Sequence, residues 1–494
     1  MKILLAGYNI DTQVLKEYEN IAGKRADATP ETLSASYARI SRDPRPIDEL
    51  RDDARIEIEK SRKSNRAIIF KMGHHSVAEH AVFNFDIIGV SRFAIEQLEK
   101  LRLCSFTEKS QRYITLENDF VIPQEIQETG FDKEYTDMVK EQNRLYHDMN
   151  DRLTEHVFSK HSELAKDPKK RTLLEGWAKE DARYITSLAT EGQLGMTINA
   201  RNLELMFRRF ASHPLNEVRT IGKNIYTLVK NVAPSIILFT DANDYDAKTL
   251  SSLEEYFKNR KMQSSDVAPS AEVLLHHYTN NADDQLVASI MHHATSKSFS
   301  ACRDEVDKMT PQEKTDIIKK TFQYMEFYDS TLREFEFLNL VYELTISSSC
   351  FAQLKRHRMS TPVTQDYDPL LGLTIPDSIK EIGFEKRFLD VTDKTEELYR
   401  RIKKVSSTAS PYILTNAHRR RVLFGVNARE LYHITRLRED AHAQWDIQNI
   451  SKKMRIEAEK VMPLTMMFIG SKEVYPIKFK EIFGKEPKFT EIPG

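Results

Sequence analysis

Two blocks of this chain occur twice, in the same order. DIIGVSRFAIEQLEKLR (86–102) lines up with TISSSCFAQLKRHR (345–358) on a strand pattern, a small-residue turn, an aromatic and a glutamine. TINARNLELMFRRF (197–210) lines up with GVNARELYHITRLR (425–438), and both carry Asn-Ala-Arg, at 199–201 and 427–429. A shared tripeptide says little, but two matched blocks in one order imply a duplicated unit. Between the copies, NRKMQSSDVAPSAE (259–272) interrupts the periodic pattern with Ser, Asp and Pro, as a linker does. The chain is therefore expected to fold as two domains, 1–262 and 263–494.

Within the first copy, KILLAG (2–7) reads as a short strand ended by glycine. AVFNFDIIGVSR (81–92) alternates at period two up to Gly89 and leads into a helix at FAIEQLEKL. Residues 47–70 and 131–166 place apolar side chains at helical spacing on a charged background, and 170–189 and 200–230 also look helical. The 494 residues are 40% hydrophobic and 30% charged, the balance of an ordinary globular protein. A formal net charge of −1 supplies no global basic footprint, so no nucleic-acid partner is expected. Cys104, Cys302 and Cys350 lie far apart, which argues against a disulfide framework or a thiolate metal site and fits a reducing compartment. The apolar start MKILLAG is too brief for a signal segment, and no window approaches the ~18 apolar residues of a membrane span. A cytoplasmic chain with no membrane partner is the expectation.

Three stretches carry chemistry. GHHSVAEH (73–80) offers His74, His75, Glu79 and His80, with His75 and Glu79 spaced to share a helix face. A metal needs a third converging ligand, and none is evident; histidines hydrogen-bonding at a helix start are the better reading, and no metal is expected. CSFTEKSQRY (104–113) interleaves Ser105, Glu108, Ser110, Arg112 and Tyr113, and an arginine fork among short hydroxyls suits a phosphate or carboxylate. Taken alone, the same stretch is more often a solvated polar turn. Arg356-His357-Arg358 stands beside the apolar run SSSCFAQL, where desolvating three such groups is costly unless an anionic cofactor or nucleotide offsets them. HRRR (418–421) is the better candidate for an exposed basic patch, or for part of an anion site.

Taken together, these blocks resemble the flavin-dependent thymidylate synthases, here as a fused tandem pair. That family carries R-H-R-x-x-S-x-N-E-x-S-x-R-Y, preceded by H-x-S/T-x-x-E-H and followed by an arginine, then N-A-R and L-R-x-x-x-H-A-Q-W-E-I. The resemblance implies an α+β fold in two copies, each a mixed or antiparallel sheet with helices, rich in helix. Each half keeps a different part of the signature. The first half has His74, Ser76, Glu79, His80, Gln97, Ser105, Glu108, Ser110, Arg112, Tyr113, Arg183 and Asn199-Ala200-Arg201. Its R-H-R positions read Lys100-Leu101-Arg102, and Arg209 matches the late arginine only after a one-residue deletion. The second half keeps Gln353, Arg356-His357-Arg358, Asn427-Ala428-Arg429, Arg438, His442 and Gln444. It has Asp366 at the substrate serine and Pro411 opposite Arg183, and its front histidine block has degraded to YDSTLRE (328–334).

In the family, a homotetramer, each active site is shared between subunits, so the resemblance implies one complete composite site and one dead reciprocal. Gln353, Arg356, Glu108, Lys109, Ser110, Gln111, Arg112, Arg183 and Arg438 would hold dUMP, with Arg438 as the catalytic residue. His74, Ser76, Glu108, Arg356, His357, Arg358, Asn427, Arg429 and His433 would hold FAD. The implied reaction converts dUMP to dTMP, with methylenetetrahydrofolate as carbon donor and NADPH as reductant, and a homodimer would supply four family-type domains. Thr107 in place of asparagine, His433 in place of a polar amide and the altered TPVTQDY loop leave two alternatives: a flavin-dependent enzyme for another pyrimidine nucleotide, or a non-catalytic flavin- or nucleotide-binding paralogue.

Overall fold

The computed structural model describes residues 1–11, 14, 16, 29–39, 45, 47–71, 74–112, 114–258, 260 and 271–488. The linker expected at 259–272 lies outside them apart from Arg260, Ala271 and Glu272, as do Gly73 and Tyr113 of the motifs. The chain forms two compact units, Met1–Ser264 with Ser378–Leu414, and Ser265–Asp377 with Thr415–Gly494. Each is built around one four-stranded sheet.

In the first repeat, β1 (Lys2–Tyr8), β2 (Val82–Ser91), β3 (Cys104–Glu108) and β4 (Glu191–Asn199) lie in the order β1-β2-β4-β3. In the second, β5 (Val273–Tyr278), β6 (Asn339–Ser347), β7 (Thr361–Tyr367) and β8 (Arg419–Asn427) lie in the order β5-β6-β8-β7. All six pairings are antiparallel, so two copies of one helix-rich α+β fold stand where the repeat predicts them. Period-two alternation buries one face of each sheet: Phe83, Phe85 and Ile87 on β2, and Leu340, Tyr342, Leu344 and Ile346 on β6. The β2 strand does not stop at Gly89. It passes through it as a bulge, with φ of +73°, a conformation glycine takes without strain.

The helices that position side chains below are α1 (Arg92–Leu98), α2 (Asp132–Lys160), α3 (Pro168–Ala182), α4 (Ala200–Ala211), α5 (Asn216–Val229), α6 (Ser348–Leu354), α7 (Glu385–Val405), α8 (Ala428–Arg438) and α9 (Trp445–Val461). α7 belongs to the first unit and packs on α2. There buried Gln142 donates to Thr395 Oγ1 at 2.9 Å and to the Ile413 carbonyl at 3.0 Å. Among the described residues no helix is long and apolar enough to cross a membrane.

Strand register gives a residue-by-residue equivalence between the repeats. Val82 pairs with Asn199, and Asn339 pairs with Asn427. Each asparagine then caps its helix: Asn199 Oδ1 accepts from the Asn202 amide at 3.0 Å and Asn427 Oδ1 from the Glu430 amide at 2.8 Å. The recurring Asn-Ala-Arg is thus a strand-to-helix junction.

Candidate active-site residues

In the second unit, β6 ends at Ser347, whose Oγ accepts from the Cys350 amide at 2.9 Å and donates to Asp446 at 2.6 Å. That cap starts α6, and the turn after α6 carries Arg356-His357-Arg358. The three groups do not share one environment. Arg356 is half-buried, His357 is 4% exposed and Arg358 faces solvent. Of the three, the chain fully desolvates only the imidazole, which lowers the cost the sequence suggests.

His357 is held by the end of α8. Arg438 Nε donates to His357 Nε2 at 2.9 Å, and Arg438 Nη2 donates to the Gln353 carbonyl at 3.1 Å. An Nε2 that accepts from a guanidinium carries no proton, so the imidazole is neutral with its hydrogen on Nδ1. Burial pushes the His357 pKa below the ordinary imidazole value; Glu430 opposes that shift, and Arg438 and His433 reinforce it. Gln353 donates its amide to buried Gln444 at 3.1 Å, and its buried Oε1 has no hydrogen bond among the described residues. His433 is exposed and sets its ring edgewise to His357, with centroids 5.6 Å apart. Arg429 turns to its own repeat: Nε donates to the Thr331 carbonyl at 2.8 Å and Nη1 to Glu336 at 2.9 Å. Arg429 and His433 line a cavity of about 250 Å³ together with Asp329, Thr331 and Arg436.

In the first unit, the polar segment leaves β3 in a tight turn. Ser110 Oγ accepts from the Arg112 amide at 3.2 Å, and the Lys109 amide bonds to the Gln193 carbonyl at 2.9 Å. Arg112 Nε donates to the buried carboxylate of Glu180 at 2.6 Å. Arg183 begins the short turn after α3 and is 6% exposed. Burial lowers its pKa, and the nearby Glu180 charge counters that shift. Arg112 and Arg183 thus converge on one carboxylate, Glu180, which the sequence reading passed over. Its signal was a helical acid three residues before Arg183. Glu108 and Gln111 are half-buried beside them, and Lys109 is exposed.

His74 and Ser76 are exposed at the start of a short 3-10 turn, His75–His80, where His74 makes no capping hydrogen bond. The turn type separates His75 from Glu79, and Glu79 pairs instead with Arg201. Among the described residues the histidines pack on rings, His75 on Phe70 and His80 on Tyr37. HRRR (418–421) is not an exposed basic patch. His418 is fully buried, Arg419 bonds to Thr374 and Glu272, and Arg420 is sandwiched between Phe351 and Tyr367.

A family model described as "Thymidylate synthase complementing protein" matches residues 25–235 and again 274–464. The chain belongs to that family. The UPF0159 protein of Thermoplasma acidophilum is 23% identical over 474 residues, covering 87% of this chain and 92% of that one. The flavin-dependent thymidylate synthase of Clostridium tetani is 30% identical over 216 residues, covering 43% of this chain and 82% of its own length. Among solved structures, the flavin-dependent thymidylate synthase ThyX of Helicobacter pylori, complexed with FAD and dUMP, matches with a TM-score of 0.34 at 16% identity. It covers 49% of this chain and all of that one.

The register shows how the family's positions are distributed over the repeats. Glu108 pairs with Leu194 on β4 and Thr364 with Val422 on β8, so Glu108 is equivalent to Thr364; counting on along the chain, past a register shift in β7 between Thr364 and Tyr367, sets Ser110 against Asp366 and Arg112 against Asp368. Counting back from the starts of β4 and β8, Arg183 is equivalent to Pro411. In the other direction, Gln97 matches Gln353, and Lys100-Leu101-Arg102 match Arg356-His357-Arg358. Two sequence alignments need correcting. Counted from the Asn199 and Asn427 caps, the residue equivalent to Arg438 is buried Phe210, whereas Arg209 points to solvent on another face of α4. The front block equivalent to 74–80 is 331–337, three residues beyond the degraded stretch read from the sequence, because Glu336 takes Glu79's place against the arginine of Asn-Ala-Arg.

Proposed function

We propose that this chain is an FAD-dependent thymidylate synthase that methylates dUMP to dTMP, with methylenetetrahydrofolate as carbon donor and NADPH as reductant. One observation carries the reading: the losses are complementary. The first repeat keeps Ser110, Arg112 and Arg183 and has Phe210 and Leu101 where the second has Arg438 and His357. The second repeat carries Asp366, Asp368 and Pro411 where the first keeps its anion-holding groups. Decay without regard to role would not spare one full set.

In this reading Ser110, Arg112 and Arg183 hold the nucleotide, with Glu108, Lys109 and Gln111 beside them. Charge-assisted bonds from an arginine fork are short, directional and matched to phosphate. Asp366 and Asp368 would repel a phosphate at the other set, so one composite set works per chain. Arg356, His357, Arg358, Asn427, Arg429 and His433 would hold the flavin from the second repeat, and His74, Ser76 and Glu108 from the first. The exposed Arg358 offers donors to such an anionic cofactor, and the Gln353 Oε1 acceptor suits an N–H of the pyrimidine. When bound, FAD supplies the hydride chemistry; the chain supplies orientation and charge. Arg438, fixed at Nε and Nη2, would meet the pyrimidine and stabilise negative charge developing on it. Two such chains as a homodimer would present four family-type repeats.

The test is tightly bound FAD per polypeptide, read by absorbance after denaturation, followed by tritium release from labelled dUMP. A ratio near one with turnover supports the single composite set. A ratio near two overturns the division between repeats, and no flavin after reconstitution moves the protein to the non-catalytic reading.

A further inference from the structure

Glu430 belongs to none of the motifs that suggested a function, yet it sits at a decisive place. It lies in the first turn of α8, is 11% exposed at its side chain, and its Oε1 faces His357 Nδ1 across 3.5 Å. No direct hydrogen bond closes that gap, so the contact is electrostatic. On the opposite side of the ring, Nε2 accepts from Arg438. The imidazole therefore stands between a carboxylate and a guanidinium, with His433 edge-on as the third titratable neighbour.

A neutral histidine has one N–H, and which nitrogen carries it is decided by its partners. A carboxylate at Nδ1 favours the hydrogen there, leaving the Nε2 lone pair for Arg438. With the hydrogen on Nε2, or on both nitrogens, two N–H groups would point at each other and the Arg438 contact would be lost. The first repeat is an internal comparison. At the positions of Glu430, His357 and Arg438 it has Asn202, Leu101 and Phe210, so all three members are replaced together. Leu101 and Phe210 are buried, which closes that location with apolar packing.

We propose that Glu430 is a positioning residue: it holds His357 in the Nδ1–H form so that His357 fixes the Arg438 guanidinium where a pyrimidine must be met. This rests on Arg438 acting on the nucleotide as described above. Glu430 does not touch the substrate; it acts through His357. A working set at this location then needs the three side chains jointly, and restoring an arginine alone at Phe210 would not rebuild it.

The experiment compares Glu430→Leu and Glu430→Gln with the unaltered chain, by steady-state kinetics across pH and by nitrogen NMR of the histidine rings. Glu430→Leu should lower kcat by up to ~10²-fold, the scale of a misplaced catalytic group, with KM for dUMP and FAD content little changed. Glu430→Gln keeps an acceptor oxygen at Nδ1 and should recover most of kcat. Both variants remove a negative charge that favours the imidazolium, so the acid limb of the rate profile should move to lower pH. The His357 ring should show Nδ1–H in the unaltered chain and a mixture of forms in Glu430→Leu. An active enzyme in which Glu430→Leu leaves kcat, the acid limb and the ring tautomer unchanged overturns the proposal. If the unaltered chain has no turnover, the thymidylate synthase reading fails, and the NMR comparison still decides whether Glu430 sets the tautomer.

Discussion

At Ser110 a single oxygen decides what the first repeat can hold. Its Oγ accepts from the Arg112 amide, and counting along the chain from the paired Glu108 and Thr364 sets Asp366 against it in the second repeat. A hydroxyl can donate to a phosphate, whereas a carboxylate can only repel one. Copying the second repeat with Ser110→Asp should therefore raise KM for dUMP by about 10- to 100-fold, like charges across a contact costing up to several kcal/mol. Flavin content should not change, and kinetics with absorbance on the same preparation checks both. Arg183 illustrates why site residues escape a linear reading. As one letter it is an ordinary charged residue, but it is 6% exposed, and the charge of nearby Glu180 favours a guanidinium there.

Among the elements, the two capping asparagines show one residue with two separable roles. Asn427 starts α8, which carries Arg429, His433 and Arg438, and it is also expected on the flavin. Asn427→Ala should cost about 0.5–2 kcal/mol of stability, measured by denaturant unfolding, and lower FAD content. Asn427→Ser restores a capping oxygen, so it should recover the stability while the flavin content stays low. If the serine variant binds flavin normally, Asn427 serves the helix alone.

The turn before β8 gives a pH prediction. His418 is fully buried, its Nδ1 accepts from the Thr415 amide at 2.9 Å, and burial holds its pKa at about 3. An unfolded histidine titrates near 6.5, so below that value the unfolded chain takes a proton that the folded chain refuses. Stability from this group is full above pH ~6.5 and falls on acidification toward pH 3, by ~1.4 kcal/mol per pH unit. His213, lowered by burial to about 4, acts in the same direction. The first repeat has Thr190 at the His418 position, so His418→Thr should flatten the acid dependence of the unfolding midpoint. An unchanged slope would show that His418 does not set it.

For the molecule as a whole, the asymmetry of the repeats is what an experiment can read. Arg358 and Arg102 are equivalent positions, both exposed. Arg358→Ala should lower FAD occupancy several-fold, while Arg102→Ala should leave it unchanged; equal losses would mean that both repeats bind flavin. Much of this design was legible as sequence. The duplication and the strand-to-helix junctions are written in order and spacing, because periodicity and helix caps are local, while the α+β class and the swap of Ser110 for Asp366 came through the family resemblance. What tertiary structure decided are matters of which face a side chain takes and what surrounds it. The Arg209 alignment failed because a helix turns about 100° per residue, so one position's error moves the side chain from core to solvent. HRRR looked like a surface patch until the sheet buried its histidine and stacked Arg420 between two rings. Sequence alone determined which groups each repeat retained. Only the fold decided that His357 would be neutral between Arg438 and Glu430, because burial and the approach of α8 to the turn after α6 fix its proton.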